Sequence, residues 1–340
     1  MQNSCKYVSA AGESVGVKRI AHNLSSGRAV FGALSLFSML LMLRNSAVAI
    51  EYMKSGMELC VKTVIPSLFP FMVISELLVS FGVGERIGKL LKGPMSLFSV
   101  SGAGSSAVIL GALCGFPVGA RTAVGLYDRG RITKKECEHL LTFSNNPSSA
   151  FIISSVGVSL YSDHNLGIAL LCLTLASSLI IGYTMKYYVY SKDERSSRRD
   201  EVSEIPSSRA GVRAFTGAVT SSAAAMLNVC AYVIFFASLI GALGNMLSSI
   251  GASKEICAFL YAVFEMSSGV SEASALENYA AGLVMTAFAL GWSGISVHCQ
   301  IASMCDGRSL DLKPYFIAKA LQGILCAITA MAVLLIRKVL

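Results

Sequence analysis

The sequence predicts an all-α, polytopic membrane protein made of two inverted repeats, each with a re-entrant helical hairpin and a broken transmembrane helix. Three observations carry that prediction. Apolar residues make up 54% of the 340 residues and charged residues only 14%, with a mean hydropathy of +0.63; soluble domains carry roughly 25% charged residues. Long apolar stretches recur at 30–43, 63–83, 143–160, 167–190, 221–247, 280–301 and 315–336, and about 20 apolar residues cross a hydrocarbon core. Two proline-bearing breaks, Gly115-Phe116-Pro117-Val118-Gly119-Ala120-Arg121 and Asn145-Asn146-Pro147-Ser148, fall at membrane depth about one crossing apart.

Residues 1–50 read as a cytoplasmic tail and a first transmembrane helix. Lys18, Arg19 and Arg28 precede an apolar run ending near Ala47-Val48-Ala49, which imitates a signal peptide. The charged region is long for one, so an uncleaved helix is expected, with residue 50 outside. The 63–83 span then delivers Arg86, Lys89 and Lys92 to the cytoplasm, as the positive-inside rule requires. Segment 105–113 is too short to cross, so 96–118 is expected to dip in and return. Arg129, Arg131, Lys134 and Lys135 are then cytoplasmic too. Span 143–160 leaves, and 167–190 comes back to a basic linker, completing a first repeat over 51–190.

The linker, 191–213, holds Lys192, Arg195, Arg198, Arg199, Arg209 and Arg213 among Asp193, Glu194, Asp200, Glu201 and Glu204. So many acids argue against a nucleic-acid arm, and the net charge of +8 is explained by cytoplasmic loops. Residues 214–340 repeat the order of parts from the opposite side. A long helix (226–247) is followed by a short segment broken at Phe264-Glu265-Met266-Ser267-Ser268-Gly269, a span broken at Gly291-Trp292-Ser293-Gly294, and a C-terminal helix. Opposite starting sides mark an inverted repeat, with the ligand site at the midplane where broken helices meet.

Several chemistries lack their signatures. The ten cysteines form no Cys-x-x-Cys pair, so neither a zinc site nor a disulfide framework is indicated. Gly82-Val83-Gly84-Glu85-Arg86-Ile87-Gly88-Lys89 imitates a phosphate loop, but its glycine spacing is wrong and Leu90 stands where a hydroxyl should hold magnesium. With no nucleophile elbow or zinc-protease motif either, no enzyme, metal or cofactor is expected. A coupling proton or Na+ is compatible with the pattern, and a homo-oligomer is left open.

Broken helices leave backbone groups unpaired, which a bilayer tolerates only inside protein or around an aqueous cavity. The site is therefore sought at the breaks. Phe116, Pro117 and Gly119 form the first break. Arg121 lies four residues after Pro117, one turn into the helix that starts there. A helix N-terminus favours an anion, and an arginine adds a two-pronged carboxylate contact; alternatively Arg121 belongs to the cytoplasmic basic loop. Of Asn145 and Asn146, one is expected to cap the helix after Pro147 and the other to contact ligand or ion, since a spare amide at membrane depth is costly.

Glu265 is an intramembrane carboxylate and hence a functional candidate, for a coupling ion or as a hydrogen-bonding partner within its hairpin; Ser267 and Ser268 would form the tip. Trp292 suits stacking on an aromatic ligand or anchoring at the interface. Ser293 and His298 supply polar groups, His298 reading as either a bonded core histidine or a proton relay. Glu76 is a weaker candidate.

At its four broken motifs, over roughly residues 50–336, the chain resembles the sporulation integral membrane proteins of the YlbJ (SpoVV) type, within the nucleoside-recognition Gate-domain group. The resemblance implies a multi-pass protein of the mother-cell-derived outer forespore membrane, moving dipicolinate (pyridine-2,6-dicarboxylate) out of the mother cell. It is also similar to concentrative nucleoside transporters, whose hairpins and broken helices enclose the substrate. The implied partner is a small anionic aromatic solute. A nucleoside or nucleobase symporter, and a non-transporting sporulation scaffold recruiting a partner through the linker, remain alternatives.

Overall fold

The computed structural model describes residues 29–83, 92–190 and 211–339, and within them the chain is helical, with no strand. The basic residues 18, 19, 28, 86 and 89, the phosphate-loop-like stretch beyond residue 83, and the linker up to residue 210 lie outside the described residues. Among the described residues, four helices are long and apolar enough to cross a membrane, or five spans if one sharply bent pair counts as one.

That pair is α1 (Ala29–Arg44) and α2 (Ser46–Leu59), bent by 100° at Asn45. The small-residue run Ala47-Val48-Ala49, expected at the end of a first span, instead lies inside α2, as does Ile50. Ala49 is buried, and its carbonyl accepts from Ser238 Oγ at 3.0 Å. α2 passes through a π turn (Cys60–Val64) into α3 (Ile65–Ser80). The wide turn falls just before Pro66, where a missing amide already interrupts the ladder.

The first helical hairpin follows the short α4 (Lys92–Ser96). Its arms are α5 (Ser105–Cys114) and α6 (Val118–Asp128). Its returning arm is thus 118–128, beyond the 96–118 stretch expected from the sequence. Gly115, at φ +77°, ends the first arm, and Pro117 starts the second. A Cβ on either Gly111 or Gly119, equidistant from the apex, would overlap the Ser144 carbonyl oxygen, so the arms fold back and clamp that backbone between them.

α7 (Lys134–Phe143), capped by Thr133 through the Glu136 amide at 3.2 Å, runs into an irregular stretch at 144–148 and a π segment (Phe151–Leu160). α8 (His164–Val189), capped by Asp163, closes the first half. The second half opens with α9 (Gly211–Ser249) and a second hairpin, α10 (Lys254–Phe264) and α11 (Met266–Ser274). A span broken into α12 (Tyr279–Trp292) and α13 (Gly294–Cys305) follows, and α14 (Lys313–Val339) ends the chain. Each half therefore runs long helix, hairpin, broken span, closing helix.

Contacts between elements survive exchange of the halves. α3 packs on α9 and α8 on α14; the returning arm α6 meets α13, and its counterpart α11 meets the π segment. One core joins the first hairpin to α7, α13 and Tyr315; another joins the second hairpin to the π segment, α8, α12 and Cys326.

Many large apolar side chains are exposed. On α14, Leu321, Ile324, Ile328, Met331 and Leu335 face outward, while Tyr315, Lys319 and Gln322 are fully buried. A helix with its charge inside and its aliphatics outside is built for lipid. The protein is a multi-pass membrane protein.

Candidate functional site

The tips of the breaks meet in pairs. In the first half the Phe116 amide donates to the Asn146 carbonyl at 2.7 Å, and a Cβ on Gly115 would lie 2.6 Å from Ser148 Cα. In the second, a Cβ on Gly294 would lie 2.9 Å from the Met266 nitrogen. Trp292 reaches the same hairpin, its indole N–H donating to the Val263 carbonyl at 2.9 Å. Gly294 at φ +84° follows Ser293 at φ +75°. Two successive left-handed residues unwind the span, and only the absence of a side chain lets the second lie against the neighbouring backbone.

α14 links the two pairs. Tyr315 Oη lies 2.8 Å from His298 Nδ1, in the second break, and close enough to the Asn145 amide, in the first, to interact electrostatically without a proper hydrogen bond. Lys319 donates to the Asn145 carbonyl at 3.0 Å and to Gln322 Oε1 at 2.9 Å. Gln322 Nε2 donates to Asn146 Oδ1 at 2.8 Å and to the Thr174 carbonyl at 3.2 Å. Asn146 Nδ2 donates to the Phe143 carbonyl at 3.0 Å and to Ser178 Oγ at 2.9 Å.

Neither asparagine caps a helix, contrary to the expectation from sequence. The chain stays irregular through Pro147, so helix resumes beyond it, and Ser148 Oγ is the group that accepts the Phe151 amide at 3.2 Å. Asn146 ties α7, α8 and α14 together instead. Asn146→Ala should cost about 2 kcal/mol, three bonds at the ~0.6 kcal/mol average between membrane helices; thermal unfolding in detergent checks this.

Glu265 takes the bonding role weighed for it. Its carboxylate caps α11, accepting the Ser267 amide at 3.0 Å and the Ser268 amide at 2.7 Å. Those serines lie in the first turn of α11 with their amides turned to Glu265. Arg121 is not in a loop: it lies within α6, its side chain 14% exposed. It donates to Ser221 Oγ on α9 at 2.9 Å and lies 3.7 Å from Glu76 on α3, which also pairs with Arg129. Its contacts are with α3 and α9, so the structure does not join it to the α14 network.

Polar atoms without a partner concentrate at these breaks. Among the described residues they include Ser144 Oγ, both Asn145 amide atoms, Ser293 Oγ, Ser296 Oγ, His298 Nε2 and Gln300 Oε1, with Ser222 Oγ and Arg121 Nη1 nearer α9. Trp292 lies edge-on to His298 at 4.3 Å between centroids, and His298 to Tyr315 at 5.3 Å and to Phe316 at 5.5 Å. Cavities of about 440 and 700 Å3 lie around Tyr52 and Tyr261 and along α1; the arms of the second hairpin wall the first through Tyr261 and Glu272, and neither cavity is lined by Asn145, His298 or Lys319.

Lys319 and Gln322 were not anticipated. The signal was present: Lys319 is the one charge in the 315–336 apolar run, and intramembrane charges mark functional positions. No family model and no solved structure matches the chain. It is similar to the sporulation integral membrane protein YlbJ of Bacillus subtilis (strain 168), 28% identical over 331 aligned residues that cover 87% of this chain and 80% of the relative. That likeness runs along most of both chains and supports the resemblance read from the four broken motifs.

Proposed function

We propose that the chain is a sporulation transporter that carries dipicolinate out of the mother cell across the outer forespore membrane. The observation that carries the proposal is the cluster of buried, unpartnered polar atoms on Asn145, Ser293, Ser296, His298 and Gln300, where two hairpin tips meet two broken spans. Each such atom costs roughly 1–3 kcal/mol when nothing pairs with it. A polar solute passing between the halves supplies the missing partners. The repeated order of parts and the exchangeable contacts support two inverted repeats that rock about this point. Under that reading the hairpins are re-entrant, as in the Gate-domain group.

The aromatic lining and Arg121 suit a planar aromatic acid, and the relative's role in sporulation is consistent with one. Purified full-length protein in liposomes should take up labelled dipicolinate, and unlabelled dipicolinate should compete while uridine should not. The opposite competition would make the chain a nucleoside carrier. Deleting residues 193–208 should leave uptake within about twofold, because that segment is remote in sequence from every residue of the breaks; function that depends on the linker would favour a scaffold.

A further inference from the structure

The ammonium of Lys319 is fully buried in a membrane-spanning helix, and among the described residues no carboxylate pairs with it. Its two contacts are neutral oxygens, the Asn145 carbonyl and Gln322 Oε1. A lysine head has three N–H donors, so one remains. The Gln322 amide is held in orientation by Asn146 and Thr174, which leaves its oxygen for Lys319. The lysine is thus positioned by the 144–148 stretch, α8 and α14, yet no carboxylate faces it among the described residues. A buried charge without a counter-charge is strongly destabilising.

Around this ammonium lie groups suited to an aromatic acid. Asn145, whose carbonyl the lysine already holds, has a buried side-chain amide that makes no close hydrogen bond and lies beside Tyr315. His298, bonded through Nδ1 to Tyr315, has a free Nε2. When Tyr315 donates to Nδ1, Nε2 carries the proton and can donate as well. Trp292, Tyr315 and Phe316 cluster around the His298 ring.

We propose that Lys319, the Asn145 amide and His298 form a carboxylate-binding subsite for an aromatic acid, in which the solute's carboxylate is the counter-charge the lysine lacks. This rests on the carrier reading above and assigns its charge recognition to α14. Lys319 contacts the solute directly, and Gln322 positions it.

Trp292 is the only tryptophan and adjoins His298, so its fluorescence reports binding in the full-length, detergent-solubilised chain. Pyridine-2,6-dicarboxylate and its neutral diamide are titrated in parallel. The wild type should prefer the diacid by about tenfold or more. Lys319→Gln should erase that preference while holding the diamide within about twofold, and Lys319→Arg should keep it. A Lys319→Gln chain that still prefers the diacid removes Lys319 while leaving the carrier reading intact. Equal loss of both ligands makes the lysine a structural strut and overturns the subsite. A wild type that binds uridine and neither pyridine compound overturns the carrier's substrate and the subsite together.

Discussion

Gly119→Ala should be the most damaging single-methyl change in the protein, unfolding it at a clearly lower temperature in detergent and abolishing uptake. The new Cβ would overlap the Ser144 carbonyl oxygen, which is backbone and cannot rotate away. Gly111 faces the same oxygen, with its Cα 3.0 Å from a Cβ built on Gly119, so neither side can yield. Overpacking costs ~1–3 kcal/mol, and this site belongs at the top of that range. The arms must part, which shifts Phe116 off the Asn146 carbonyl and carries the first pair of tips with it. Alanine at Gly217, where an added Cβ meets nothing within 4 Å, is the matched control and should leave both stability and uptake intact. Equal stability of the two variants would mean that the hairpin is not clamped on Ser144.

The second large effect is expected at Arg121. Arg121→Ala should reduce dipicolinate uptake to the level of protein-free liposomes with little change in stability. Glu76 keeps Arg129 as a partner when Arg121 is removed, so no carboxylate is stranded. The lost pair is partly exposed and 3.7 Å long, a class worth at most about 1 kcal/mol. Transport should suffer far more, because the guanidinium is the cation on the returning arm of the first hairpin. Arg121→Lys restores the charge without the planar fork and should recover only part of the uptake. Normal uptake by Arg121→Ala would take this residue out of the transport path.

Much of the site could be read before any fold was known, because breaks are local events. Gly115, Pro117 and Pro147 interrupt helices through their own backbone restrictions, and the structure breaks the helices around each of them. Glycine and serine at 293–294 unwind the second span in the same way. The asparagine cap failed for a related reason: Pro147 delays the restart of helix until Ser148 can cap it, and that two-residue shift depends on how the irregular stretch is held against the hairpin. Residue 50 fared similarly. The apolar run ending near Ala47-Val48-Ala49 puts residue 50 beyond a first helix, but α2 packs on α9 through Ala49 and Gly56, and that burial keeps the segment helical.

Composition, apolar run lengths and the proline and glycine breaks determined by themselves that this is a helical, many-spanning membrane protein with helices interrupted twice in each half. Those properties depend on each residue's own hydration and backbone freedom, so no distant partner was needed to read them. Tertiary structure alone decided that Asn145, Tyr315, His298 and Lys319 converge, that Arg121 turns to Glu76 and Ser221, and that Glu265 is spent on its own helix. Which face of a helix turns inward, and which of several polar groups it meets there, depends on how segments some 170 residues apart pack together, and nothing local fixes that choice.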